Sequence, residues 1–206
     1  AFALPPDHLL RVLDLIHRYF PGCEMVNMDA TVPSILAKSD GDLRALAQAG
    51  VCHLYLGIES GLDDVLALMN KDHDVAQALE AIGRMQEAGL RFAAHMMSGI
   101  AGHGRGLEDA AALAQFYNRT RPARIVNFSL FLHRDAPLSK LIEEGRFTPA
   151  DELENLDQAR ALIVQLEVPV EYDGFHDAVS LRARGPLPQH KPRMLDQLDT
   201  VIARQR

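Results

Sequence analysis

"LYLGIESGLDDVLALMNK", Leu54 to Lys71, decides how the chain is read. Leu54 to Ile58 is apolar with no polar alternation, which suits a strand whose two faces are both covered. Glu59 and Ser60 stand where that strand runs out. "LDDVLALMN" follows at once, a helix with acids in its first turn, where the helix dipole favours them. Strand, polar bend, helix is the βα step, and it poses a question: what does a carboxylate hold at the end of an apolar strand?

The same alternation extends on both sides. Upstream, "PDHLLRVLDLIHRYF" is an amphipathic helix opened by Pro5-Pro6 and stopped by Pro21-Gly22. "CEMVNMDA" reads as a strand and "DGDLRALAQAG" as a short helix closed by Gly50. Downstream come the helix "DVAQALEAIGRMQEAG", the strand "LRFAAHMMSGI", the helix "GLEDAAALAQFYNRT", the strand "ARIVNFSLFL" and the turn-helix "APLSKLIEEGRF". Strands separated by helices imply right-handed crossovers and a parallel sheet of about four βα units in an α/β fold. From Thr148 the pattern changes. "TPADELENLDQARALIVQL" and "MLDQLDTVIARQR" are helices, "EVPVEYD" suits a strand and "GPLPQHKPR" an extended segment. Residues 148–206 are therefore expected to be a mostly helical C-terminal extension on a domain of residues 1–147.

The 206 residues suffice for one sizeable core. A net charge of −7 disfavours a nucleic-acid partner. No apolar run reaches the roughly 20 residues of a membrane span, and no signal peptide is evident, so a cytoplasmic protein is expected. Cys23 and Cys52 are 29 positions apart (52 − 23) and form neither a zinc nor an iron–sulfur spacing; free thiols are expected. The first residue is not Met, so a fragment is expected.

Ligands of parallel α/β proteins lie beyond the carboxyl ends of the strands. Those ends carry Asn27 and Asp29, then Glu59 and Ser60, then Ser98, Gly99, Ile100 and Gly102, then the stretch from Ser129 to Arg134. Lys71, eleven residues after Ser60, can fold back toward Glu59. A carboxylate and an ammonium together would suit a zwitterion such as an amino-acid moiety. Each residue has a plainer reading. Asp29 suits an N-cap, Glu59-Ser60-Gly61 a turn capped by Ser60, and Lys71 a cation at a helix C-terminus. The glycines from Gly99 to Gly106 suit a flexible loop, and His95 a satisfied interior side chain. No GxSxG, HExxH or complete phosphate loop is present.

"LYLGIESGLDDVLALMNK" resembles the central motif of radical S-adenosylmethionine enzymes, in the branch of oxygen-independent coproporphyrinogen oxidase and the methylthiotransferases. The likeness continues through "AIGRMQEAGLRFAAHMMSGIAG" and "FSLFLHRDAPLSKLIEEGRF", and covers Leu9 to Phe147. It implies a (β/α)6 partial TIM barrel, of which this chain would carry strands three to six. It also implies S-adenosylmethionine and a 4Fe–4S cluster as cofactors, and reductive cleavage of the former to a deoxyadenosyl radical. The family's CxxxCxxC is not in this sequence, so metal ligands are expected upstream and none here. By position, Glu59 and Ser60 would meet the ribose or methionine end, Asn27 or Asp29 the methionine's polar groups, and Lys71 its carboxylate. Ser98, Gly99, Ile100 and Gly102 would line the adenine. The amide at Asn27 and the turn "SGIAGHG" depart from the commoner family pattern.

The resemblance leaves the substrate unknown and the extension, with His176, Arg182, Arg184 and His190, without a readable motif. An isolated fragment is expected to expose an open sheet edge and to self-associate through it. Two other readings compete: a non-catalytic ligand- or partner-binding domain of the same descent, and half of a phosphate-binding barrel enzyme.

Overall fold

The computed structural model describes residues 2–176, without the side chain of His176, and residues 181–206. Among the described residues six strands form one sheet in chain order, β1 (Val26–Ala30), β2 (Val51–Glu59), β3 (Arg91–Ser98), β4 (Arg124–Ser129), β5 (Val170–His176) and β6 (Leu181–Leu187). The chain divides into two compact units, Ala1–Gly57 with Asp72–Ala94, and Ile58–Lys71 with His95–Arg206.

In the first unit β1 and β2 pair in parallel, with Asn27 opposite His53 and Asp29 opposite Tyr55. Helices α1 (Pro6–Tyr19), α2 (Val32–Leu36), α3 (Asp40–Gln48) and α5 (Val75–Glu87) belong to this unit. Its core takes Leu9 and Leu13 from α1, Leu43 and Leu46 from α3, Leu54 and Leu56 from β2, and Ala81, Ile82 and Met85 from α5. Ser39 and Asp74 start α3 and α5 with reciprocal capping boxes, which satisfy backbone donors that a helix start leaves unpaired. Helix α2, hidden in "TVPSIL", has its own box between Thr31 and Ser34. The buried ammonium of Lys38 donates to the carbonyls of Phe2, at 2.6 Å, and Ser34. Cys23 and Cys52 are free and half-buried.

The second unit holds α4 (Asp63–Leu68), α6 (Gly106–Thr120), α7 (Pro137–Glu143), α8 (Glu152–Gln165) and α9 (Lys191–Gln205). Strand β5 adds to β4 in parallel, but β6 returns antiparallel to β5. Residues 148–206 hold helices α8 and α9, as expected of a mostly helical extension, and also supply two strands of the sheet. Only residues 177–180 separate β5 from β6, too few for the crossover of a dozen or more residues that a parallel return needs. Helix α6 packs on α8, α8 on α9, and α9 on β6. Alternate strand residues, Ile125 and Asn127, Tyr172, and Ala183, are buried. Among the described residues no helix is long and apolar enough to cross a membrane.

Candidate functional site

Glu59 closes β2 with φ +61°, a left-handed conformation that costs a residue with a Cβ of order 1 kcal/mol. Such strain persists only where neighbouring contacts over-determine it, and here they do. The Ser60 hydroxyl donates to Asp109 Oδ1 at 2.5 Å, and the Gly61 N–H donates to the same oxygen at 3.1 Å. Ser60 Oγ also accepts the Leu62 N–H and so leads the chain into α4. Gly61 is required by contact: a Cβ there would lie 2.7 Å from the Ala112 carbonyl carbon and the Leu113 nitrogen of α6, both backbone atoms.

Lys71 does fold back. Asn70, at φ +52°, ends α4 in a Schellman turn, with Asn70 N–H donating to Ala67 O and Lys71 N–H to Leu66 O. That turn brings the Lys71 ammonium to 3.5 Å from Glu59 Oε1, with the two side chains 27% and 16% exposed. "MNK" is therefore a local instruction: Asn tolerates the left-handed position and the next residue is reversed toward the strand end.

The bend after β3 is built on glycines. Gly99 and Gly102 both have φ +81°, and Gly102 N–H donates to Gly99 O. A Cβ on Gly99 would lie 2.5 Å from Asn155 Oδ1, a buried acceptor with no hydrogen-bond partner among the described residues. Gly99 N–H donates to Gln158 Oε1 at 2.9 Å, while Gln158 Nε2 donates to Asp109 Oδ2 at 2.9 Å. Asp109 and Gln158 thus tie the Glu59-Ser60-Gly61 bend to the Gly99 bend through one buried network.

Sequence patterning does not single out Asp109 and Gln158. Asp109 looks like an ordinary first-turn acid in "GLEDAAALAQ". Its position on the stripe Asp109, Leu113, Phe116, Tyr117 and Thr120, all buried, is the signal that distinguishes it. Gln158 sits likewise among Leu156, Ala159 and Leu162 on α8.

Three expected contact residues point inward. Ser60 spends its hydroxyl on Asp109 and is fully buried. Ser98, also buried, donates to Asn127 Oδ1 at 2.9 Å, and Asn127 donates onward to the Tyr172 hydroxyl. The Ile100 side chain packs with Val65, Ala101, Leu62, Met69 and Met97. The side chains of these three are spent inside the protein, whereas Glu59 and Lys71 keep theirs at the strand end. Asn27 and Asp29 lie in the first unit and are both exposed. Asn27 Oδ1 accepts the His53 N–H at 3.2 Å, and the Asp29 carbonyl accepts the Phe2 N–H at 3.3 Å. Among the described residues, no three His, Cys, Asp or Glu side chains are grouped to hold a metal ion.

Burial pushes the Asp109 carboxyl from 3.8 up to about 6, against the hydrogen bonds from Ser60, Gly61 and Gln158 that favour its ionised form. A folded pKa above the unfolded one means the folded chain keeps a proton that the unfolded chain has lost. The stability this group contributes is whole below about pH 4 and disappears as pH rises through about 6, about 3 kcal/mol in all. Urea midpoints of the wild type and Asp109→Asn, compared from pH 4 to pH 7, should show the wild type losing that advantage over the window. A constant difference would reject a buried, titrating Asp109.

The sequence from residue 3 to residue 116 matches the family model described as the radical SAM superfamily. No curated protein matches the sequence. Among solved structures, the archaeal Elp3 of Methanocaldococcus infernus is similar over 86% of this chain and 46% of its own, with TM-score 0.67 and 16% identity. Coproporphyrinogen III oxidase (HemN) from Escherichia coli, described as a radical SAM enzyme, is similar over 78% of this chain and 36% of its own, with TM-score 0.61 and 14% identity. Methylornithine synthase (PylB) is similar over 80% of this chain and 44% of its own, with TM-score 0.57 and 11% identity. This chain spans less than half the length of each of the three.

Proposed function

The chain belongs to the radical SAM superfamily, and on that premise we propose that it forms part of the cofactor pocket of an enzyme that cleaves S-adenosylmethionine reductively. The family's cofactors are S-adenosylmethionine and a 4Fe–4S cluster. When bound, they supply a deoxyadenosyl radical; the protein positions and shields it.

The two cofactors fare differently against the residues present. The described residues offer the cluster no ligand set, and two cysteines 29 positions apart cannot supply three thiolates (52 − 23). The cluster's ligands are therefore assigned to residues outside this chain. Groups complementary to S-adenosylmethionine support the reading. The observation that carries the reading is Glu59: a strained carboxylate at a strand end, clamped from behind through Ser60 and Gly61, with the Lys71 ammonium 3.5 Å away.

A carboxylate beside an ammonium is the complement of an amino-acid zwitterion. Lys71 would hold the methionine carboxylate, and Glu59 would accept hydrogen bonds at the ribose or methionine end. Ser60 acts through Asp109 by keeping the Glu59 backbone in place. The backbone from Gly99 to Gly102, with no side chain at either left-handed position, would lie against the adenine. Asn27 and Asp29 are not needed for these contacts.

The test is on the full-length protein, reconstituted with iron and sulfide under anaerobic conditions. The expected product is a brown protein that forms deoxyadenosine and methionine from S-adenosylmethionine under dithionite. A colourless, inert protein would favour a ligand-binding domain without catalysis and would overturn the proposal.

A further inference from the structure

The first unit buries a charge that the proposed cofactor site does not use. Lys38, just past the end of α2, is 6% exposed. Its ammonium donates to two carbonyls, Phe2 O at 2.6 Å and Ser34 O at 3.3 Å, and stands 4.4 Å from the centroid of the Phe2 ring. Carbonyls and a ring face occupy a donor, but none of them carries a net negative charge. Buried Asp173, by contrast, has the Arg182 guanidinium against both of its oxygens. Among the described residues no carboxylate pairs with Lys38. Asp42 acts on it only at a distance, and the Asp42 carboxylate is itself held by the Ser39 N–H and hydroxyl. Burial lowers the Lys38 pKa below its ordinary value, against the opposing charge of Asp42. A buried lysine without a counter-ion breaks the rule that buried charges are paired.

Lys38 also lines an open cleft of about 440 Å³, a volume within the range of small-ligand sites. The other lining residues are uncharged: residues 3–6, all apolar, and residues in and beside α2, from Thr31 to Ala37. The place in the fold suits a ligand. Thr31 directly follows β1, and parallel α/β proteins bind their ligands beyond the carboxyl ends of the strands. An ammonium has three N–H groups, and the two carbonyls take two of them. A cation short of a counter-ion, at the edge of an apolar cleft, is the complement of an anion with an apolar body.

We propose that this cleft binds a small monocarboxylate, its carboxylate at Lys38 and its short apolar chain along residues 3–6. One cation balances one negative charge. A phosphate dianion would leave a charge over, in a cleft with no second cation among its lining residues and on a chain whose net charge is −7. The apolar part is called for by Leu4, which lines the cleft and is 46% exposed until something covers it. The inference concerns the first unit alone and does not rest on the reading of Glu59 and Lys71.

Sodium butyrate is the probe, titrated into the full-length protein by calorimetry or ligand-observed NMR. It is expected to bind saturably. Butyramide, which has the same shape without the charge, should bind at least about tenfold more weakly, and so should inorganic phosphate. Lys38→Met keeps the apolar stem and removes the charge, and should weaken butyrate by at least about tenfold. Ala37→Leu should weaken it by roughly tenfold as well: position 37 is exposed, helical in backbone and lines the cleft, so the longer side chain fills space without disturbing the core. Circular dichroism checks that each variant folds. The butyramide comparison and Ala37→Leu decide the matter even where Lys38→Met does not fold. Unsaturable butyrate binding, equal binding of butyramide, tighter binding of phosphate, or unchanged affinity in a folded Lys38→Met or Ala37→Leu would each overturn the proposal.

Discussion

Asp109→Ala is expected to destabilise the protein by about 3–5 kcal/mol. The substitution strands three buried donors at once: the Ser60 hydroxyl, the Gly61 N–H and the Gln158 amide. Each unpaired buried donor costs about 1–3 kcal/mol. Part of that loss is offset near neutral pH, because the buried charge is removed as well. The cost should therefore be greater at pH 5 than at pH 7, which urea denaturation at the two values would show. The damage should also travel. Without Asp109 the Ser60 hydroxyl and the Gly61 N–H lose their acceptor, only the Ser60 N–H bond to Ile58 O and the Leu62 N–H bond to Ser60 Oγ remain at the bend, and Glu59 is held less firmly at φ +61°. A loss below about 1 kcal/mol would mean that Asp109 is a bystander, and that the bend is held by the strand and by α4 alone.

Glu59→Gly should separate stability from binding. Glycine adopts φ +61° without steric cost but loses more backbone entropy on folding, so the melting behaviour should stay within about 1 kcal/mol of the wild type. The carboxylate is gone, however, and Lys71 loses its partner at 3.5 Å. Removing a charge-assisted hydrogen bond from a half-buried site costs about 2–3 kcal/mol. Titration of S-adenosylmethionine into the reconstituted full-length protein should therefore show affinity lower by roughly 30- to 150-fold, with the cluster absorbance intact. Glu59→Ala should bind as poorly while also being less stable than Glu59→Gly, because alanine keeps the Cβ strain. Affinity within about threefold of the wild type in both variants would leave Glu59 a turn residue and remove the main support for the cofactor reading.

These expectations share one feature. The residues that present charge are not the residues that position it. Glu59 and Lys71 present charge, but Asp109 and Gln158, both fully buried, determine where that charge stands. Sequence patterning finds the first pair because a carboxylate at the end of an apolar strand breaks an expected pattern. It passes over the second pair because Asp109 has an innocent explanation at its own position, the helix dipole.

What the sequence determined by itself was local. The apolar run ending at Ile58, the glycine closures at Gly50 and Gly89, and the acids at the start of α4 follow from rules that act within a few residues. Those rules sufficed for the α/β alternation, for the parallel pairing of β1 with β2, and for the return of Lys71 toward Glu59. Tertiary structure decided the rest. It turned β6 back antiparallel, seated Ser60 and Ser98 on buried partners rather than toward a ligand, and joined two strand ends through side chains 49 and 59 positions away. The physical reason is range: capping, periodicity and turn chemistry are set by neighbours in the chain, whereas a buried carboxylate is defined by the donors that packing brings to it.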